Sequence, residues 1–202
     1  MSSGLFPDDP DETRIEILEA TYAALREHGY ADLTIDRIGE HFTKSTSLIY
    51  HHYEGKDELL LDFLSFLLED AQGRSVEDEH DADATDRLER VFEHVFTQDA
   101  TEEELAFQRA MVGMRAQATT DDEYRTHFTE HDRVFRDQLA AIVRDGIAEG
   151  VFREVDPVQV ATMLHTMLSG AMATQVTSNV DLSSMQAEVE AYVESRLLVD
   201  GR

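Results

Sequence analysis

The 202 residues predict an all-α protein, with an N-terminal three-helix helix-turn-helix domain followed by a C-terminal helical domain. Apolar residues recur at helical spacing along the chain, and no segment alternates apolar and polar residues as a half-buried strand does. Near the N-terminus, two short helical segments follow a longer one with only a brief turn between them, which is typical of a helix-turn-helix. No internal repeat of the solenoid type is present in the sequence.

The first helix has a predicted start and a predicted end. Thr13 followed by Glu16 has the spacing of a capping box, in which the two side chains satisfy backbone groups at a helix N-terminus. Gly29 ends the helical pattern. Between these residues the apolar positions repeat at helical spacing: Ile15, Leu18, Tyr22 and Leu25.

The second and third helices are short, and each has a candidate N-cap. Thr34 caps the second helix, with Asp36 in its first turn, and Ser45 caps the third. Tyr50 to Tyr53 closes the third helix. In a helix-turn-helix the N-terminal residues of the last helix enter the major groove of DNA. The predicted inward positions of the two helices are Ile35, Ile38, Phe42, Leu48 and Ile49.

Charge is distributed unevenly along the chain. The formal net charge is −26, but residues 13–57 carry only −3 of it, and both lysines of the chain, Lys44 and Lys56, flank the predicted third helix. Lysine is a mobile point charge that serves phosphate oxygens well. In this acidic background the near-neutral block is a candidate equivalent of the basic patch that nucleic-acid-binding proteins usually carry.

The acidity itself has two interpretations. Asp and Glu number 43 against 17 Lys and Arg, and the excess is spread along the chain rather than gathered in a tail. An ordinary acidic protein is one interpretation. The scarcity of lysine favours the other, a protein adapted to a cytoplasm rich in potassium chloride, where salt screens the repulsion between carboxylates.

The composition also excludes several classes of protein. There is no cysteine, which rules out disulfides, thiolate metal sites and cysteine nucleophiles. The N-terminus, MSSGLFPDDPDE, has neither the basic start nor the apolar core of a signal peptide. The longest apolar run, Leu59 to Leu68, contains Asp62 and is too short to span a bilayer. We expect a cytoplasmic protein that has no membrane partner and no cofactor.

Two stretches resemble one known family. Residues 33–59, LTIDRIGEHFTKSTSLIYHHYEGKDEL, are similar to the DNA-binding domain of the tetracycline-repressor (TetR) family, from its "T-I-x-x-I" through "L/I-Y-x-x-F/Y" to "x-x-K-x-E-L". Residues 149–157, EGVFREVDP, resemble the family's "G-x-F-R-x-x-D-P" link between late helices. The resemblance implies a transcriptional regulator, most often a repressor, that binds operator DNA as a homodimer and is released by a small-molecule effector.

The resemblance also implies which residues meet DNA. Thr34 offers a phosphate its hydroxyl and backbone N–H, Tyr50 and His51 match the family's backbone-contacting pair, and Lys56 adds charge to the N-terminus of helix four. Tyr53 fits better as a core aromatic residue. The turn and the start of helix three reach base edges and nearby phosphates through Lys44, Ser45, Thr46 and Ser47.

This sequence departs from the family pattern at three positions. Phe42 and Thr43 replace the small residues and glycine that the family usually has in the turn, and Ser47 replaces a glycine of helix three. A β-branched residue resists positive φ, so the turn is expected to differ slightly in geometry. The base preference of a relative therefore does not carry over.

Beyond Lys56 the periodicity predicts helix after helix. An amphipathic helix covers 57–72, and an acidic stretch from 76 to 84 is predicted to be a loop. We divide the chain into an N-terminal arm (1–12), the helix-turn-helix domain (13–56) and a ligand-binding and dimerisation domain (57–202). The later helices are predicted near 85–98, 102–118, 121–149, 157–178 and 184–199.

Two histidines lie on apolar helix faces of the C-terminal domain. His131 falls within the apolar stripe of helix 121–149, and His165 lies among apolar residues of helix 157–178. Each fits either a core histidine with a backbone partner or a polar group that orients an effector in an apolar cavity. The remaining candidates for the cavity are Phe63, Phe66, Phe92, Met111, Met114 and Phe128. Apolar residues of this kind are more often core than pocket when taken one by one.

Two other functions stay open. His127 and His131, four residues apart, have a spacing that can hold a divalent metal and so suggest a metal-sensing regulator, although no third ligand is evident. A small-molecule-binding protein or enzyme is the other alternative. The sequence has no Gly-rich phosphate loop, serine nucleophile elbow or obvious carboxylate dyad, so we predict no catalytic residues.

The last two helices are predicted to form the homodimer interface. Helix 157–178 is apolar on two sides, with Val160, Met163 and Met167 on one of them. A helix with two apolar faces must be covered twice, once by its own core and once by a partner. The final helix supplies a second stripe for a four-helix bundle between two protomers: Met185, Val189, Tyr192 and Val193.

Overall fold

The computed structural model of the chain describes residues 12–77, 82–96 and 100–199. Within these ranges the regular secondary structure is helical, which confirms the predicted all-α class. No helix in this described part is long and apolar enough to cross a membrane. The helices are α1 (Glu12–His28), α2 (Ile35–Glu40), α3 (Thr46–His52), α4 (Lys56–Glu77), α5 (Ala84–Phe96), α6 (Glu102–Gln117), α7 (Asp122–Glu149), α8 (Pro157–Thr177) and α9 (Ser183–Arg196).

The N-terminal helices follow local sequence rules with one exception. Gly29 follows α1 with φ +70°, a conformation that glycine adopts without steric cost. Thr34 and Ser45 are the N-caps of α2 and α3, as predicted. The predicted capping box of Thr13 and Glu16 is wrong, because Thr13 already lies inside α1 and the Glu16 carboxylate pairs with Lys44.

The later helices begin within one residue of their predicted starts. α4 extends to Glu77, so the predicted loop starts later than residue 76, and residues 78–81 lie outside the described part. α9 ends at Arg196, three residues early, because the chain then pairs with the segment after α7. In that pairing Arg153 N donates to Leu197 O (2.7 Å) and Val199 N donates to Val151 O (3.2 Å).

The chain divides into two compact units. Of the described residues, those within 1–73 and 100–128 form unit 1, and those within 74–99 and 129–202 form unit 2. In unit 1, α1 packs against α2 and α6, around a core that includes Ile17, Ile38 and Phe63. Unit 1 therefore contains α6 and most of α4 in addition to the helix-turn-helix. The functional boundary at residue 56 stays a prediction.

Unit 2 has its own core, in which α5 packs against α8. Val160, Val189 and Val193 are buried in this core, so these three residues of the predicted dimer surface are covered within one protomer. That part of the prediction is wrong. Met163 of α8 is 47% exposed and stays available to a partner. Met167, Met185 and Tyr192 are partly buried against the same core.

Candidate DNA-binding site

One face of α3 is exposed and polar, and the opposite face fixes the helix to the core. Ser47, Tyr50 and His51 are exposed, and Tyr50 is 56% exposed despite its large ring. On the opposite side Ile49 is completely buried and Tyr53 is buried, as predicted for a core aromatic residue. Residues three and four apart share a helix face, so Ser47, Tyr50 and His51 form one exposed surface.

The two N-cap hydroxyls lie at the entrances to α2 and α3. Thr34 Oγ1 accepts a hydrogen bond from Arg37 N (3.2 Å), and Ser45 Oγ accepts one from Ser47 N (3.3 Å). Ser45 Oγ also lies 2.7 Å from Ser47 Oγ. A hydroxyl that accepts from the backbone keeps its own proton, so each cap can still donate to a phosphate oxygen. Thr46, the first residue of α3, is half-buried.

Lys44 precedes α3 and is held by α1. Its Nζ atom lies 2.9 Å from Glu16 Oε1 and donates a 3.4 Å hydrogen bond to Thr13 Oγ1. Thr43 Oγ1 donates to the same Glu16 carboxylate (3.4 Å). Glu16 was not predicted as part of this site, because its spacing from Thr13 indicated a helix cap instead. The ion pair orients Lys44 and also competes with phosphate for its charge.

Lys56 begins α4 on the other side of α3. Its ammonium lies 4.6 Å from the centre of the Tyr30 ring, within the range of a cation–π interaction. The side chain is half-buried rather than fully exposed. The N-terminus of α4, which is the positive end of its helix dipole, also lies at Lys56. The lysine charge and the helix dipole therefore both favour an anion at this position. The two lysines thus flank α3 in the structure, each with an intramolecular partner.

The turn between α2 and α3 accommodates Phe42 and Thr43 without unusual backbone conformation. His41, the C-cap of α2, has φ −96° and ψ −4°, and no non-glycine residue in the described ranges has positive φ. Phe42 is buried in the core of unit 1. The close approach occurs instead at Gly39, where an added Cβ would clash with Thr46 Oγ1 and lie 3.2 Å from its Cβ.

A network of partly buried side-chain hydrogen bonds joins the helix-turn-helix to α4 within unit 1. Arg14 of α1 contacts both carboxylate oxygens of Asp62 (2.9 and 2.7 Å), and Tyr53 contacts one of them. Burial raises the pKa of Asp62, but the hydrogen bonds from Arg14 and Tyr53 outweigh it, so the pKa lies below its usual value. A second link joins α7 to α4, because the Tyr124 hydroxyl donates to Asp57 Oδ1 (3.2 Å).

The predicted effector-lining residues fall into two groups. In unit 1, Phe63, Phe66, Met114 and Phe128 are buried in one apolar core, with Met111 partly buried against it. The Arg115 guanidinium lies 4.6 Å from the centre of the Phe128 ring. This packing agrees with the interpretation that these residues are core residues. Their contact with an effector stays a prediction.

The second group belongs to unit 2 and contains a polar cluster. Phe92 and His165 are buried in its core. His165 Nε2 lies 3.4 Å from Asp132 Oδ1, and His131 Nδ1 lies 3.6 Å from the same oxygen. Asp132 was not predicted as a site residue, yet its carboxylate lies close to both predicted histidines. The Phe135 ring lies 5.7 Å from the His165 ring, so the cluster has an apolar neighbour.

The metal-sensing alternative finds no support at the predicted pair. Among the described residues, the group of three side chains that could hold one metal ion contains neither His127 nor His131. That group consists of Glu27, His28 and His41 and lies in unit 1, whereas His131 belongs to unit 2.

Comparisons with known families and proteins agree with this architecture. Residues 17–63 match the family described as "Bacterial regulatory proteins, tetR family". Residues 84–198 match the family described as "BetI-type transcriptional repressor, C-terminal". The two matches cover the helix-turn-helix and most of the C-terminal domain in the expected order.

Individual relatives cover nearly the whole chain. The HTH-type transcriptional repressor AcnR of Corynebacterium glutamicum is 28% identical over 192 residues, which is 94% of this chain and 96% of that protein. The crystal structure of a TetR transcription regulator from Haloarcula marismortui is 34% identical, with a TM-score of 0.78 and coverage of 93% of this chain and 100% of that one.

A more distant structure shows the same fold. A transcriptional regulator from Saccharomonospora viridis in complex with choline is 22% identical, with a TM-score of 0.77 and coverage of 94% of this chain and 100% of that one. The family match over 84–198 covers more than half of the chain, and the Haloarcula regulator is similar to nearly all of it. The chain belongs to the TetR family of bacterial regulatory proteins and is a ligand-responsive transcriptional regulator.

Proposed function

We propose that the protein is a repressor that binds its operator as a homodimer, with α3 of each protomer in the major groove. The observation that carries this proposal is the exposed polar face of α3, flanked by Lys44 and Lys56 in a block, residues 13–57, that carries only −3 of the net charge of −26. A helix-turn-helix presents the start of its second helix to base edges. The protein acts in the cytoplasm, where its operator is.

Each contact has a proposed role. Ser47, Thr46 and Lys44 reach base edges or nearby phosphates at the start of α3. Tyr50 and His51 contact the DNA backbone, and their exposure supports that role. Thr34, Ser45 and Lys56 hold phosphates at three helix N-termini, where the helix dipole and free N–H groups favour anions.

The homodimer is proposed to form through the outer face of α8. That face combines Met163 with Thr162, Thr166 and Gly170, all exposed in the protomer. A Cβ built at Gly170 meets no atom within 4 Å, so space there is open to a partner helix. Small residues on a helix face let two helices approach closely and pack. The partly buried Met185 and Tyr192 of α9 complete the edge of the interface.

Effector binding is proposed to be relayed through α7 and α4. α7 carries His131, which belongs to the polar cluster with Asp132 and His165, and Tyr124, which bonds to Asp57 in the first turn of α4. Burial raises the pKa of Tyr124, and Asp57 adds to the effect, so the hydroxyl stays a donor at physiological pH. A shift of α7 on ligand binding would therefore pull on the start of α4 and alter the spacing of the recognition helices.

The effector is proposed to combine an apolar body with one polar or cationic group. The apolar residues around Phe92 and Phe135 would contact the apolar part of the effector. The Asp132 carboxylate would bind a hydrogen-bond donor or a cationic group of the effector. Candidates include a lipophilic drug, an acyl thioester, a hydrophobic metabolite and choline, which the Saccharomonospora structure holds.

The test is an electrophoretic mobility shift with the DNA upstream of the protein's own gene. We expect one retarded complex at high salt, its loss with an active effector, and no complex with a shuffled fragment. Tyr50→Ala with Ser47→Ala should abolish the complex while circular dichroism remains helical. If neither that fragment nor any fragment selected from the genome is bound, the repressor proposal fails.

A further inference from the structure

Three side chains that commonly bind metals meet where α1 ends and the turn of the helix-turn-helix begins. They are Glu27 and His28, the last two residues of α1, and His41, the C-cap of α2. Glu27 Oε2 lies 3.1 Å from His41 Nε2, and Glu27 Oε1 lies 3.9 Å from His28 Nε2. One ligand atom from each residue lies within 4.8 Å of the other two.

The two imidazoles provide a second and independent observation. His28 Nε2 and His41 Nε2 are both inaccessible to solvent, and neither has a hydrogen-bond partner. Glu27 Oε2 is within ion-pair distance of His41 Nε2, at 3.1 Å, but makes no hydrogen bond to it. A buried polar nitrogen without a partner costs free energy, so two of them side by side require an explanation. A ligand that both nitrogens share would remove that cost.

We propose that Glu27, His28 and His41 bind a divalent transition-metal ion of the zinc class. Zn²⁺ takes imidazole nitrogen at about 2.0–2.1 Å and carboxylate oxygen at about 2.0–2.2 Å, which places neighbouring tetrahedral ligands roughly 3.4 Å apart. The observed separations bracket that value. The Glu27 side chain is 60% exposed, so its carboxylate can adjust, and water completes the coordination.

The site has a structural consequence for the DNA-binding part of unit 1. His28 ends α1, and His41 lies between α2 and the N-cap of α3. A metal ion held by both residues ties the supporting helix to the turn that positions the recognition helix. Because a metal that binds only the folded state stabilises it by mass action, zinc is expected to raise the thermal stability of the protein.

A plain ion pair between Glu27 and His41 is the competing explanation, and it binds no metal. Tag-free protein, dialysed against chelator, would be titrated with Zn²⁺ by calorimetry and with Co²⁺ by visible absorption. We expect one ion per chain. His41→Gln and Glu27→Gln should each lower the affinity more than about 10-fold, since even the groups that orient metal ligands are worth ~10–100-fold.

Two controls separate this site from other histidines. His52→Gln changes an exposed residue of α3, and His131→Gln changes one member of the His127/His131 pair. Both should retain wild-type affinity and the zinc-dependent rise in melting temperature, which His41→Gln should lose. The exposed Glu27 position keeps the test valid even if a histidine variant unfolds. The proposal is overturned by absence of binding at micromolar free Zn²⁺, by wild-type affinity in Glu27→Gln, or by loss of binding in His131→Gln alone.

Discussion

The hydroxyl of Tyr53 lies 2.7 Å from Oδ2 of Asp62 and donates a hydrogen bond to it. Tyr53 is the C-cap of α3, and Asp62 lies in the second turn of α4. The same carboxylate receives Arg14 from α1. Asp62 therefore joins three helices of unit 1 and fixes the end of the recognition helix relative to α4.

Tyr53→Phe removes one hydrogen bond from this network and keeps the buried ring. The free energy of unfolding should fall by about 1 kcal/mol, which is the usual net contribution of one hydrogen bond. The ion pair between Arg14 and Asp62 should remain. Urea denaturation followed by circular dichroism measures the change. Tyr50→Phe is the matched control, because the Tyr50 side chain is exposed and its variant should be as stable as the wild type. Equal stability of all three proteins would contradict the role of the bond.

The pH dependence of stability follows from Asp62. Its pKa in the folded protein is depressed, so its contribution to stability is fully present above the unfolded value near ~3.9 and is lost as pH falls through the folded pKa. The asparagine side chain of Asp62→Asn stays neutral at every pH, so this variant lacks the contribution of the charged carboxylate. The stability gap between wild type and Asp62→Asn should be constant from pH 7 to 5 and shrink below about pH 4. A gap that is the same at pH 3 and pH 7 would show that the charge of Asp62 does not matter.

Opposite effects on DNA binding are expected at the two ends of the Lys44–Glu16 ion pair. Lys44→Ala should weaken operator binding several-fold because a phosphate contact is lost. Glu16→Gln should strengthen it, since Lys44 is released from its competitor and a negative charge is removed from the side that we propose to face DNA. Fluorescence anisotropy on operator DNA measures both.

Lys56→Ala belongs to the same series. It should also weaken operator binding and leave the protein folded. Arg109→Ala is the control, because this exposed arginine pairs with Glu102 of its own helix, α6, and is not among the proposed DNA contacts. Surface ion pairs contribute only about 0–1 kcal/mol, so none of these variants should unfold. If Glu16→Gln binds more weakly than the wild type, the Glu16 carboxylate does not compete for Lys44.

Salt should affect DNA binding less than it does for an ordinary repressor. Counterion release gives a slope of log affinity against log salt of about −0.9 per neutralised phosphate. This protein has few cations near α3 and a net charge of −26, so cations must be accommodated when it approaches DNA. We predict a shallow or positive slope between about 0.3 and 3 M potassium chloride. A steep loss of affinity in protein that stays folded by circular dichroism would refute adaptation of the interface to high salt.

Substitution on the outer face of α8 should separate the protomers. Gly170→Glu places a charged side chain where the proposed partner helix lies. Met163→Glu places a second charge on the same face, at a residue that is exposed in the protomer. Replacing a mid-helix glycine favours the helix by roughly 0.5–1 kcal/mol, so Gly170→Glu should remain folded. Light scattering at micromolar concentration and high salt should give the mass of one chain for both. Thr126→Glu, on the exposed side of α7, should remain dimeric, and a monomeric wild type would end the proposal.

Local features of this protein were predictable from the sequence, and tertiary features were only partly so. Thr34 and Ser45 cap their helices because a cap depends on a few neighbouring residues. Thr13 and Glu16 had the same spacing but failed, since Glu16 has a tertiary partner in Lys44. Val160 illustrates a second limit, because periodicity identifies two apolar faces on α8 without saying which one its own core covers.

The functional clusters show the same division. The exposed surface of α3 followed from helical spacing and family resemblance. The role of Asp132 between His131 and His165 did not, because α7 and α8 are brought together only by the fold. His28 and His41 are likewise separated by a turn and a whole helix, and no spacing rule connects them.

The contact between Gly39 and Thr46 limits how this protein can acquire a new operator. The backbone of α2 at Gly39 lies so close to the Thr46 side chain of α3 that a methyl group at position 39 would clash with it. A library that randomises the recognition helix should therefore keep position 46 small and vary Ser47, Tyr50 and His51, which are exposed. Any natural change of Gly39 to a larger residue would have to displace the side chain of Thr46, the first residue of α3, and so would disturb the end of the helix that we propose to read the operator.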